Sequence, residues 1–280
     1  MLRKSIRMIG KKKIELILIN LLFLSFASCI NDKDSKQYSS DSSQLKSESI
    51  SNSVISHADG EFRAYMTRSQ MTIDGYSKDS IWASVGWYDM NYKWMGKTPD
   101  SADYSGKFKL AWNSQYLFVL VEIIDDHLNP TLGNGIENYW KGDYVEVFID
   151  EDKSGGNHQF NHQAFAYHIS TEGHAIDKGM SKETIFFDDH VEVKRSQIGN
   201  KHLWEMAIKL FNNTFDENVK DNAPVKIEKQ KRIGFSIAYG DNDGNNSREN
   251  FMGSKKNHGN NNNDDGYINS DVFGSILFIE

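Results

Sequence analysis

The chain has 280 residues, 38% hydrophobic and 12% aromatic, with 6 Trp, 12 Tyr and 16 Phe. It can bury a sizeable core, which excludes collagen-like, coiled-coil and wholly disordered readings. Lys and Arg number 32 against 39 Asp and Glu, a net charge of −7 that argues against a nucleic-acid partner, because phosphate binding needs a basic face. The single cysteine excludes an internal disulfide framework and any multi-cysteine metal site.

Residues 1–28 read as a signal peptide. Arg3, Lys4, Arg7, Lys11, Lys12 and Lys13 form a basic start, and an apolar run from Leu16 to Phe26 ends at Ala27-Ser28-Cys29. That run, interrupted by Asn20, is about half the ~20 residues a spanning helix needs. Phe26-Ala27-Ser28-Cys29 resembles the lipobox of bacterial lipoproteins, with Phe in place of the usual Leu. The resemblance implies that Cys29 carries lipid and anchors the mature chain in a membrane of the cell envelope; two acyl chains suffice for stable anchoring. Residues 29–61 are Ser, Asp, Lys and Asn rich without apolar period and read as a flexible tether. Its acidic start, Asp32-Lys33-Asp34, loosely resembles signals that send lipoproteins to the outer membrane surface.

From Phe62 to Glu280 short β-rich runs alternate with turn clusters, and no amphipathic helical period exceeds two turns. Phe108 to Trp112, the turn Asn113-Ser114-Gln115 and Tyr116 to Glu122 predict a hairpin. In Asp143 to Asp150, Val145, Val147 and Ile149 share one face, while Tyr144, Glu146 and Phe148 share the other. Further strands are expected at Ala164 to Ser170, His190 to Arg195, Leu203 to Leu210, Arg232 to Tyr239 and Ser275 to Ile279, with a surface loop at Asn257 to Asp265. The pattern predicts an all-β chain forming a single antiparallel, jelly-roll-like β-sandwich.

Flat aromatic rings stack on the apolar faces of sugars while acids, amides and Arg bind the hydroxyls. Trp82, Trp87, Trp94 and Trp140, with nearby Tyr, therefore suit carbohydrate, although Trp82, Trp112 and Trp204 read as core. Asp150-Glu151-Asp152-Lys153-Ser154-Gly155 has the opening of a calcium loop, with Asn161 where the distal carboxylate belongs, and Asp241-Asn242-Asp243-Gly244 is a similar fragment. Asp150, Asp152, Asp241 and Asp243 are thus candidate ligands of a structural calcium ion, and each fragment also reads as a plain polar turn. His158, His162, His168 and His174 crowd one segment without the helical spacing that would converge on zinc. No nucleophile elbow or phosphate loop is present, and no acid pair is marked out for glycoside hydrolysis.

Met71 to Gly75 with Asp79 to Trp82, Phe108 to Trp112 with Tyr116 to Val119, Trp140 to Asp150, and Asp271 to Leu277 occur in the order of a family 9 carbohydrate-binding module, which this chain resembles across nearly all of Phe62 to Glu280. The resemblance implies a calcium-bearing β-sandwich, without catalysis of its own, that clamps a terminal glucose-, xylose- or cellobiose-type unit between two aromatic rings. It puts the first ring on Trp140, the hydroxyl-binding acid on Glu146 and the second ring on Tyr267, where the family has Trp. The family's middle-strand arginine has no counterpart in Ala164 to His168, and Arg248 is the candidate replacement. On spacing alone, Glu146 would be an ordinary outward strand residue and Trp140 a rim residue.

The expected function is non-catalytic binding of oligo- or polysaccharide ends by a membrane-anchored lipoprotein, in support of glycoside hydrolases or saccharide-uptake proteins. A glycoside hydrolase or lyase activity in the same domain, and a degenerate sandwich that serves as a scaffold or partner-binding subunit, are the alternatives.

Overall fold

A computed structural model describes residues 58–245, 247–256, 258 and 264–280. The signal peptide, Cys29 and most of the tether lie outside the described residues. The strands are β1 (Glu61–Met66), β2 (Tyr88–Asp89), β3 (Tyr92–Gly96), β4 (Tyr104–Trp112), β5 (Leu117–Asp125), β6 (Tyr144–Asp150), β7 (Phe165–Ser170), β8 (Ala175–Lys178), β9 (Thr184–Phe186), β10 (Val191–Ile198), β11 (Lys201–Ile208), β12 (Arg232–Asp241), β13 (Asn250–Gly253) and β14 (Gly274–Ile279). One five-residue helix, α1 (Ser80–Ser84), precedes β2, and short 3-10 turns precede β6 and β14. All the expected strands form. The short strands β1, β2, β3, β8, β9 and β13 were not foreseen, because runs of two to six residues carry too little period-2 signal.

A continuous hydrogen-bonded path runs β10-β11-β5-β4-β1-β14-β12-β6-β7-β8-β9, with β13 beside β12 and β3 beside β13. β1 is the seam of the sandwich. It pairs parallel with β14 along Glu61 to Tyr65 and with β4 at Tyr65 and Met66, while the other pairings are antiparallel. The two layers meet through ring contacts: Phe62 on Phe108 at 5.2 Å, Phe108 on Phe235 at 6.0 Å and Tyr104 stacked on Tyr239 at 5.6 Å. Such pairs contribute about 0.5–1.5 kcal/mol each beyond their buried area.

Two smaller clusters cover the outer faces of the layers. Trp82 and Trp87, presented by α1 and the segment after it, pack on Ala111, Phe118, Leu120 and Ala207. Trp82 is fixed there by donating its indole N–H to Glu205 at 2.8 Å. On the other layer, Trp94 and Phe251, from β3 and β13, join Phe273 over Tyr144, Phe148, Ala166 and Ala238. This second cover makes β6 buried along its whole length. The alternation read in the sequence holds, since Val145, Val147 and Ile149 enter the central core while Tyr144 and Phe148 face away from it. What changes is the surroundings of the second face: Glu146 lies under protein, and the outward, solvated placement expected from spacing is not what forms.

Candidate functional site

The cover leaves a cavity of about 690 Å³ above the middle of β6 and β7, in the upper half of the ~300–1,000 Å³ usual for ligand pockets. Trp140, Glu146, Arg248 and Tyr267 all line it. The four come from a 3-10 turn, a strand, the loop before β13 and the loop before β14, so only the tertiary fold brings them together. Trp140 is 40% exposed and Tyr267 49%, unusual for large rings, and both present stacking surface at the mouth. Tyr139 is buried beneath, edge-on to Trp140 at 5.2 Å. Trp87 and Trp94, by contrast, are buried packing residues, as are Trp82, Trp112 and Trp204.

Glu146 forms the floor. It is 1% exposed, and neither carboxyl oxygen has a hydrogen-bond partner among the described residues. His168, its register partner on β7, comes within 3.4 Å through Nε2, beyond good hydrogen-bond distance. Burial, followed by the charge of Asp264, pushes the Glu146 carboxyl well above the usual range, against the opposing pull of Arg248. Burial and the nearby Arg248 push His168 down to about 3, so its ring is neutral and brings no compensating charge. A buried carboxyl with two free acceptors costs stability unless something enters to be bound.

Arg248 reaches the same floor from the loop before β13. It donates to the Tyr144 hydroxyl and, at 3.1 Å, to Met95 Sδ, and its guanidinium lies 4.2 Å from the Phe251 ring centre. Burial opposes its charge, but Tyr144, Glu146 and Asp264 outweigh that and hold it protonated. The cation absent from the middle strand is therefore delivered from a different element. Asp264 accepts from His258 Nδ1 and from the Gly266 N–H, both at 2.8 Å, and is buried; so is His258, whose ring stacks on Trp94 at 3.8 Å. The stretch expected to be a surface loop thus turns its two ends inward at His258 and Asp264. Gly266 is required at this point, since a Cβ there would collide with the His258 ring and with Phe148.

Sequence reasoning missed His168, Phe160, Lys178, Lys182 and Asp264 as lining residues. Only His168 carried a usable signal, standing in the strand run Ala164 to His168 that lacks the family's arginine.

The four candidate metal ligands do not form one site. Asp150 accepts from the Ser154 and Gly155 N–H groups at 3.3 and 2.8 Å, and Asp152 from Ser154 at 3.0 Å, as in a plain polar turn. No third acid or histidine joins them among the described residues. Asp241 and Asp243 instead converge with Asp125, at the end of β5, and Asp243 also with Asp103 and Asp126, each trio having carboxylate oxygens within 4.8 Å of one another. Asp241 Oδ1 and Asn250 Oδ1 are buried there without partners among the described residues. Burial, with neighbouring carboxylates, pushes Asp241 up to about 7 and Asp143 up to about 9. Orphaned, crowded oxygen donors of this kind fit a calcium ion. The doublet Asp125-Asp126 after a strongly apolar strand was the overlooked cue.

A family model described as carbohydrate family 9 binding domain-like matches residues 73–280. The chain belongs to this family. It is similar in fold to a carbohydrate-binding module of family 9 from Caldicellulosiruptor kristjanssonii, solved with glucose (20% identity, TM-score 0.54, covering 77% of this chain and 95% of that one) and with cellotriose (19% identity, TM-score 0.54, 78% and 93%). It is also 25% identical over 170 residues to endo-1,4-beta-xylanase C of Paenibacillus barcinonensis, spanning 61% of this chain but 13% of that enzyme's length. The β-sandwich is thereby the fold of a family whose members bind carbohydrate.

Proposed function

We propose that the domain holds the end of a β-1,4-linked glucose- or xylose-type saccharide between Trp140 and Tyr267, without transforming it. The observation that carries this is the buried Glu146 carboxyl, with both oxygens unpartnered among the described residues, at the floor of a cavity whose mouth is two exposed aromatic rings. Sugar hydroxyls would donate to Glu146 and Asp264 and accept from Arg248, while the ring faces stack above. The glucose and cellotriose held by structural relatives, and the xylanase that contains a related segment, support the class of ligand.

A calcium ion at Asp125, Asp241 and Asp243 would supply the positive charge that ties the end of β5 to the end of β12. The lipobox-like Phe26-Ala27-Ser28-Cys29 supports anchoring through Cys29 in the cell envelope, and the Asp32-Lys33-Asp34 that follows supports placement at the outer membrane, facing outward. There the domain would present captured chain ends to glycoside hydrolases or uptake proteins.

A glycan array followed by calorimetric titration, with wild type and Trp140→Ala, tests the reading. Saturable binding to gluco- or xylo-oligosaccharides that is lost in the folded variant is expected. Binding that survives unchanged in Trp140→Ala, or silence across the array, refutes it.

A further inference from the structure

The histidine-rich segment finds its role at the rim of the same cavity. Between β6 and β7 the chain runs through Asn157 to Gln163, and Phe160, at its middle, lines the cavity, as Tyr267 does. Its backbone has φ of 62°, a left-handed conformation rare for a bulky residue. Lys182, at the β8–β9 turn, has φ of 73° and brings its ammonium 5.3 Å from the centre of the Phe160 ring. Strained residues persist where the surroundings over-determine them, and here two of them from separate loops meet over one cavity.

The clamp that holds Phe160 is visible on both sides. His158, two residues before, is buried, and its Nε2 lies 2.7 Å from the Gly266 carbonyl, next to Tyr267. His162, two residues after, is buried against Glu217 Oε2, also at 2.7 Å. Asn157 and Asn161 close the loop on itself, with the Asn161 side chain donating to the Asn157 carbonyl at 2.9 Å. The loop that carries Phe160 is therefore tied to the segment that carries Tyr267, and Phe160 itself is half-buried rather than packed into the core.

The cavity also has room to spare. A hexose has twelve non-hydrogen atoms, each needing less than the ~30 Å³ of a liquid water, and so fills under about 360 Å³. The cavity holds about 690 Å³.

We infer that Phe160, with Lys182 at its face, forms an outer subsite that stacks a further sugar unit beyond the one held by Trp140 and Tyr267, so that the site prefers an oligosaccharide to a monosaccharide. This rests on the reading above that the cavity binds saccharide ends. Phe160→Asn removes the ring but suits the left-handed backbone, Phe160→Gly does the same with no side chain, and Phe160→Tyr keeps the ring. Titrations of the full chain with glucose, cellotriose, xylose and xylotriose separate the outcomes. The Asn and Gly variants are expected to bind the preferred trisaccharide about tenfold more weakly with monosaccharide affinity unchanged, and the Tyr variant to match wild type. Equal trisaccharide affinity in wild type and ring-less variants, or parallel losses for mono- and trisaccharide, overturns the outer subsite while the clamp stands. Wild type that binds none of the four sugars overturns the saccharide reading and the subsite with it.

Discussion

Replacing Glu146 by Met should strengthen the sugar-free fold and weaken its hold on the saccharide. The two side chains are similar in length and volume, so the packing around Tyr144, Phe148 and His168 is kept while a buried carboxyl with no partners is removed. An unsatisfied buried polar group costs about 1–3 kcal/mol, and more if charged. At ~2–4 °C per kcal/mol for a domain of this size, Tm should rise by about 2–12 °C. The pH dependence gives a second handle. Folding raises the Glu146 pKa from its ordinary 4.5, so above that value the folded chain retains a proton that the unfolded chain releases. Wild-type stability contributed by this group is full at low pH and is lost as pH rises through the folded value, whereas Met does not titrate. The Tm gap between variant and wild type should therefore widen from pH 4 to pH 8, as read by scanning calorimetry without sugar. Affinity should fall about 5- to 150-fold, the equivalent of ~1–3 kcal/mol for two hydrogen bonds of ~0.5–1.5 kcal/mol each. A lower Tm in the variant, or a gap that does not change with pH, would mean that Glu146 is satisfied in the free protein and would remove the main support for the site.

Tyr267→Trp enlarges the exposed ring at the mouth and should raise affinity for the retained saccharide a few-fold in calorimetry, in line with ~0.5–1.5 kcal/mol for an aromatic contact; weaker binding would show that the ring does not stack on the ligand. Chelation should lower Tm more at pH 8 than at pH 5. Asp241 and Asp143 are raised to about 7 and about 9, so at pH 5 protons already relieve the crowded carboxylates, while at pH 8 Asp241 has lost its proton and a cation must take its place. Asp125→Asn should abolish this chelator effect, and a Tm indifferent to chelator at both pH values would exclude the calcium site.

Much of the architecture was legible because strands announce themselves through a period of two. The hairpin of β4 and β5, and the strict alternation of β6, were read correctly for that reason. The short strands β3, β8, β9 and β13 were not, since each forms only because a neighbouring edge offers it hydrogen bonds. The same limit applies to the acids. Asp150-Glu151-Asp152 looked like a calcium loop because its ligands are adjacent in sequence, yet its carboxylates cap their own turn. The better cluster joins Asp125 at the end of β5 to Asp241 and Asp243 at the end of β12, a meeting of distant chain segments that no local spacing encodes.

By itself the sequence determined the strand pattern and the aromatic and acidic character of the chain, and the order of its motifs, through their resemblance to a family, singled out Trp140, Glu146 and Tyr267 where local spacing alone did not. Tertiary structure decided what those residues became. Trp94 and Phe251 cover the second face of β6, and that cover turns Glu146 from an outward strand residue into a buried, unpartnered acceptor. The loop before β13 supplies the Arg248 cation that the middle strand lacks, and two buried histidines hold Phe160 at the rim. Periodicity is a property of neighbours along the chain, whereas desolvation and convergence belong to residues that meet only after the sandwich has closed.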